Sequence, residues 1–286
     1  MILVKYSFRQ SNTHEHVLRA MEGVREGDVL RIDSQKMSRT IDNLAIESAL
    51  AIEIIHKDES HSLGLTMRTP GEDFDLVVGM LYSEGIIESI HDIQSISFDE
   101  DEAKVSLSDS CVFFPDEHNR RTTKTSACGI CGKESISNLL HIHGPNLRDN
   151  FSLERNAISN ASLDLLSSQR MFELTGGTHA AAFFSEDCKL ISLREDIGRH
   201  NALDKLVGSY IRQPNGPAPS LIFVSGRASF ELVHKCIRLG VPIMASVGAA
   251  SSLAVDLAIE HNLTLLSFVR DNRMLIHSAP HRISNY

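Results

Sequence analysis

Along residues 221–269 three short apolar runs, at 221–224, 241–245 and 263–269, alternate with helical stretches at 230–239 and 251–260. Strands this short, separated by helices of this length, pair in parallel through right-handed crossovers, which commits this part of the chain to an α/β sheet. The loops Ser225-Gly226-Arg227, Ser246-Val247-Gly248-Ala249 and Arg270-Asp271-Asn272-Arg273 then all leave from carboxyl ends of strands. Ligands of open α/β sheets bind at that edge.

Upstream, residues 51–57 and 63–68 have a strand pattern, and Pro70-Gly71 breaks the chain. Phe74, Val77, Val78 and Leu81 follow at helical spacing, a stripe that should pack on those strands. Residues 93–98 and 103–107 flank the acidic turn Asp99-Glu100-Asp101-Glu102 as a hairpin, so this half reads as α+β. Residues 115–127 hold almost no apolar side chain and should form an exposed, mobile loop. A polar helical connector ends near residue 170; a hairpin at 178–185 and 189–194 and a helix over 198–211 follow. The first forty residues show no clear period and receive no assignment. The implied division is an amino-terminal α+β subdomain over 1–114, a loop over 115–135, and an α/β ligand-binding domain over 136–286.

The chain has 28 basic and 37 acidic residues, a formal net charge of −9, which disfavours a generic nucleic-acid coat. The acidic excess lies in residues 1–150, with 15 basic and 25 acidic residues against 13 and 12 in the remainder. An anionic ligand should therefore prefer the second half. The amino terminus has no signal-peptide pattern, and the most apolar stretch, 241–259, is interrupted by Gly248, serines and Asp256, so no membrane span is expected. Five cysteines are few and odd in number for a secreted scaffold and point to a reducing cytoplasm.

Two of those cysteines form the sharpest local signal, Cys128-Gly129-Ile130-Cys131-Gly132-Lys133. Thiols at this spacing can share a transferred sulfur atom, a disulfide or a metal, and Lys124 and Lys133 favour a thiolate at neutral pH. A structural zinc would need two more ligands; His141 and His143 follow, at a spacing that fits no common finger. A thioredoxin-like pair would start a helix directly after a strand, whereas a long polar loop precedes this one. Deaminase chemistry is disfavoured, since Ala127 stands where that motif has proline and no H-x-E occurs. Cys236 shares a helical face with Leu232, Val233 and Ile237 and reads as core, while Cys111 and Cys188 receive no role.

Three further segments suit an anion. Thr175-Gly176-Gly177-Thr178-His179 offers small residues and amides before an apolar strand. Ser225, Gly226 and Arg227 open a helix after a buried strand, with Arg270 and Arg273 at the same edge. The stretch from Arg194 to Lys205, dense in charge, reads either as part of that site or as a helix capped near Asp196 with surface ion pairs.

Together these residues resemble the FdhD/NarQ family of formate dehydrogenase accessory sulfurtransferases. The resemblance rests on Cys128-Gly-Ile-Cys131-Gly, Thr175-Gly-Gly-Thr-His179, Glu195-Asp-Ile-Gly-Arg-His-Asn-Ala202 with Asp204-Lys205, Ser225-Gly-Arg227, and Leu253-Ala-Val leading to Phe268-Val-Arg270. Met67-Arg-Thr-Pro70 and Ser83-Glu-Gly-Ile-Ile87 also fit, so it runs from about Leu44 to the carboxyl end. It implies a cytidine-deaminase-like mixed sheet with flanking helices plus a smaller subdomain, assembled as a homodimer in the cytoplasm. It further implies a sulfur carrier that takes sulfur from a cysteine desulfurase and passes it to a bis(molybdopterin guanine dinucleotide) molybdenum cofactor destined for the formate dehydrogenase catalytic subunit. Cys128 would carry the persulfide with Cys131 assisting, and Phe268, Val269, Arg270, Asp271, Asn272 and Arg273 would bind the cofactor; no resident metal is expected. The competing reading is a non-catalytic cofactor-binding chaperone with zinc at the C-x-x-C.

Overall fold

The computed structural model describes residues 3–6, 23–34, 36–115, 144–213, 215–270 and 272–285. The first part contains β1 (Leu3–Tyr6), β2 (Val24–Asp33), β3 (Lys36–Ala45), β4 (Ser48–His56), β5 (Glu59–Arg68), α1 (Asp73–Ser83), β6 (Ile93–Asp99) and β7 (Glu102–Leu107). The second contains β8 (Leu153–Glu154), α2 (Arg155–Ser167), α3 (Arg170–Thr175), β9 (His179–Phe184), β10 (Leu190–Asp196) and α4 (Arg199–Arg212). It continues with β11 (Leu221–Val224), α5 (Phe230–Leu239), β12 (Ile243–Ser246), α6 (Ser252–Glu260), β13 (Thr264–Arg270), β14 (Arg273–Ile276) and β15 (Ile283–Ser284).

The molecule is a mixed α/β protein built on two main sheets, one of order β1-β6-β7-β4-β5 and one of order β10-β9-β11-β12-β13-β14. The three alternating runs of the carboxyl-terminal part do pair in parallel, β11 with β12 and β12 with β13. The hairpin β9–β10 joins the other side of β11 in antiparallel sense. All four β11 side chains are buried, as expected of a strand covered on both faces. Among the parts without an expected strand are β1, paired parallel to β6, and β2 with β3, a separate two-stranded ribbon, together with the short β8, β14 and β15. The ribbon escaped sequence reading because its apolar residues Leu30, Ile32, Met37 and Ile41 share their face with Asp28 and Arg39 and stay exposed, so they mark no core-facing strand.

Helix α1 follows from its apolar stripe: Phe74, Val77, Val78 and Leu81 are all buried, in one cluster with Leu50, Ile52 and Ile54 of β4. Each such side chain removed from water contributes about 1.5–3 kcal/mol. The stripe covers the strands, as its spacing predicts, and the helix also crosses α4 at very short range. A Cβ on Gly79 would stand 1.8 Å from the Asp204 carbonyl oxygen, and one on Gly208 would stand 1.8 Å from that of Asp75. Only glycine at both positions lets the two backbones touch.

The crossing is reinforced by buried polar groups. Asp204 on α4 accepts a bond from Ser83 Oγ of α1 at 2.9 Å and is ion-paired to Lys235 of α5. Next to it, Met67-Arg-Thr-Pro70 and the Glu195–Asn201 stretch form one knot. Asp196 Oδ2 accepts from the Thr69 amide at 3.0 Å, Thr69 Oγ1 accepts from the Ile197 amide at 3.0 Å, and Asn201 Nδ2 donates to the Met67 carbonyl at 2.7 Å. The reading of Asp196 as a cap among surface ion pairs is therefore corrected. Gly198 holds the N-cap position of α4 without a side-chain cap, and Asp196 is fully buried between the two parts of the chain.

Candidate functional site

Loops at the carboxyl edge of the parallel strands stack as a relay. The Ser225 amide donates to the Ala180 carbonyl (2.9 Å) while Ser225 Oγ accepts from the Ala180 amide (2.8 Å), which locks this loop to the start of β9. The Gly248 amide then donates to the Gly226 carbonyl (3.0 Å), and the Phe268 amide to the Gly248 carbonyl (3.1 Å). A Cβ on Gly248 would come within 2.9 Å of that Gly226 oxygen, so a side chain there would push the loops apart.

Against this relay lies a cavity of 490 Å³ whose walls include Thr178, His179, Ser225, Val247, Val269 and Arg270. Its other side is apolar, formed by Leu163 and Leu166 of α2 and Phe172 of α3. Concave, mainly apolar walls with a few convergent polar groups suit an organic ligand with a charged part. Sequence reading missed the apolar side because α2 and α3 looked like a polar connector. The available signal was Leu163 and Leu166 on a helix whose Ile158, Ala161 and Leu165 already fill its core face.

The expected ligand contacts divide once they are placed. Thr178 is buried and its hydroxyl donates to Glu195 Oε1 at 3.0 Å, so its proton is already committed. The same carboxylate accepts from the Met171 and Phe172 amides, both at 2.9 Å, and so completes the start of α3. Glu195 thereby fixes both the Phe172 wall and Thr178. His179 is half-buried; burial first, then its neighbours Arg199 and His200, lower its pKa and favour the neutral ring. Gly226 lies beside His179 and Arg199 and is absent from the lining, while Arg227 is exposed and also outside it.

The expected loop 270–273 is instead the turn of a hairpin, with Arg270 paired to Arg273 across β13 and β14. The register shifts between Ser267 and Arg270, and Phe268 takes a left-handed φ of 52°. A bulge of this kind re-aims side chains. Here Val269 is buried in the cavity wall, Arg270 is exposed at the wall, and Phe268, Asn272 and Arg273 are exposed and absent from the lining. Of this segment, the structure therefore brings only Val269 and Arg270 into the cavity; Asp271 lies outside the described residues.

Cys128 and Cys131 also lie outside the described residues, as do His141, His143 and the expected loop from residue 116 onward. Cys111, Cys188 and Cys236 are all buried and free. Burial pushes the Cys188 thiol up to about 11 and raises those of Cys111 and Cys236, which makes all three poor nucleophiles. Among the described residues no group of three His, Cys, Asp or Glu side chains is placed to hold a metal, and no helix is long and apolar enough to cross a membrane.

A family model described as FdhD/NarQ family matches residues 45–284. The chain is 39% identical over 270 residues to a sulfur carrier protein FdhD from Streptomyces avermitilis, covering 90% of this chain and 94% of the relative. It is 41% identical over 250 residues to one from Thermoplasma acidophilum, covering 85% and 87%. Among solved structures, it superposes with a TM-score of 0.73 and 25% identity on a protein from Desulfotalea psychrophila described as a formate dehydrogenase accessory protein, covering 92% of this chain and all of that one.

Proposed function

Because the chain belongs to the FdhD/NarQ family, we propose that it is a sulfur carrier in formate dehydrogenase maturation that loads Cys128 and delivers to a ligand held in the 490 Å³ cavity. The donor in this reading is a cysteine desulfurase. The Cys128 thiolate attacks the terminal sulfur of the desulfurase persulfide, a new S–S bond forms on Cys128, and the donor's cysteine leaves as a thiolate. Cys131 is the assisting thiol. The acceptor is the molybdenum cofactor in its bis(molybdopterin guanine dinucleotide) form, bound here as substrate, and the product goes to the formate dehydrogenase catalytic subunit. The protein acts in the cytoplasm as a homodimer, and we read its second sheet with flanking helices as the cytidine-deaminase-like part.

The observation that carries this reading is the convergence of His179, Ser225, Val269 and Arg270 on one cavity. A chain that only ferried sulfur between two proteins would need no such pocket. A flat heterocycle suits the Leu163, Leu166 and Phe172 side, and a phosphate suits the Arg270 guanidinium. The test is mass spectrometry after incubation with a cysteine desulfurase and cysteine, with a gain of one sulfur, about 32 Da, expected on Cys128. An undiminished gain in Cys128→Ala would overturn the assignment. One zinc per chain that survives chelation, with no sulfur gained, would favour a zinc-bearing chaperone instead.

A further inference from the structure

The ribbon β2–β3 lies almost wholly before the residues that the family model matches, and its role is untouched by the sulfur-carrier reading. Its base is anchored, with the Ile46 amide bonded to the Gly23 carbonyl at 2.8 Å and Gly23 set against Thr69 and Met171. Beyond the base, the register pairs Asp28 with Ile41, Leu30 with Arg39 and Ile32 with Met37. Side chains alternate along a strand and directly opposed residues share a face, so these six lie on one side of the ribbon. The four apolar ones are between 61% and 74% exposed. A two-stranded ribbon is marginal in water without a surface to pack on.

We infer that this face packs on the same face of a second copy of the chain. The argument for that occupant is the order of charges. Asp28 and Arg39 are diagonal neighbours around Leu30 and Ile41, and neither makes an ion pair among the described residues. Let two ribbons cross near a right angle, about a two-fold axis through the middle of these four residues. Asp28 of each copy then meets Arg39 of the other, while Leu30 and Ile41 each meet their own counterpart. Such a crossing is one of the two usual ways for sheets to pack, and a two-fold contact must be self-complementary in this manner. The ribbon as a whole suits a self-contact too: Arg25, Arg31, Lys36 and Arg39 balance Glu26, Asp28, Asp33 and Asp42, whereas the chain carries −9. The inference names the surface behind the homodimer proposed above and rests on that part of the reading.

The test is sedimentation equilibrium of the full-length protein. Wild type should be a dimer, and Asp28→Arg or Arg39→Asp should each weaken the dimer about tenfold or more, because two attractive contacts become repulsive. Mixing the Asp28→Arg chain with the Arg39→Asp chain should restore a heterodimer, since both crossed pairs are then opposite in sign. That recovery also shows that both variants are folded. A monomeric wild type would overturn the homodimer reading and this surface together. A wild-type dimer unaffected by either change, or a weakened one not restored by mixing, would overturn the surface alone.

Discussion

Lys205 Nζ lies 2.9 Å from Asp196 Oδ2 with both side chains withdrawn from solvent, and the same ammonium donates to the Thr69 carbonyl at 2.8 Å. This pair ties the loop after β5 to the start of α4. It also sits next to Glu195, whose carboxylate holds Thr178 and the start of α3 against the cavity. The knot that joins the two parts of the chain is thus one residue away from the carboxylate that braces the cavity wall.

Removing one partner of this buried pair leaves the other charge uncompensated. Asp196→Asn and Lys205→Met should each lower stability by about 3–5 kcal/mol, and the double change Asp196→Asn/Lys205→Met by less than the sum of the singles. Urea unfolding followed by circular dichroism measures this. Additive losses would mean that the two groups do not act as a pair.

The α1–α4 crossing admits no side chain at its centre. Gly79→Ala and Gly208→Ala should each lower stability by at least about 1–3 kcal/mol, the usual range for overpacking, because the added methyl meets a backbone carbonyl that cannot turn away. A calorimetric melting temperature equal to wild type would show that the helices separate freely.

Arg270 is at the cavity wall and Arg227 is outside the lining. Arg270→Ala should therefore weaken guanosine diphosphate binding by about 1.5–3 kcal/mol, the range for a hydrogen bond to a charged group. Arg227→Ala should cost clearly less. Titration calorimetry that ranks the two in the opposite order would move the anion site to the outer side of the Gly226 loop.

His179 has a pKa below that of a free histidine, first through burial and then through Arg199 and His200. The unfolded chain therefore binds more protons at this site as pH falls through about 6.5, and stability is lost in that direction. His179→Gln should reduce the loss between pH 7 and pH 5.5. Urea titrations of both proteins at the two pH values test the sign: an unchanged acid loss would place the sensitivity elsewhere.

Sulfur loading should bypass the core thiols. Cys188, with its thiol pushed up to about 11, stays protonated at neutral pH, and Cys236 is fully buried in the apolar core of the second sheet. Peptide mapping after the desulfurase reaction should find extra sulfur on neither. Loss of loading in Cys236→Ala, with the native circular dichroism spectrum retained, would contradict the purely structural role of that thiol.

The alternation of strands and helices over 221–269 was legible in the amino-acid order because each element buries its own apolar pattern, and short runs between helices leave only parallel pairing. The stripe of α1 and the hairpins β6–β7 and β9–β10 were legible for the same reason. Other features depended on what distant residues bring to one another. Asp196 looks like a surface cap until Thr69 and Lys205 meet it from elsewhere in the chain. The leucines of α2 become a cavity wall only when they face β9 and β13. The bulge at Phe268, which selects Val269 and Arg270 from the five described candidate residues, depends on the register with β14. Local pattern determines which elements form, since helix and strand periods are properties of neighbouring residues. Which polar side chains are buried, and which loops share a cavity, is decided by contacts between separate elements, 127 positions apart in the Thr69–Asp196 bond, and no local period encodes those.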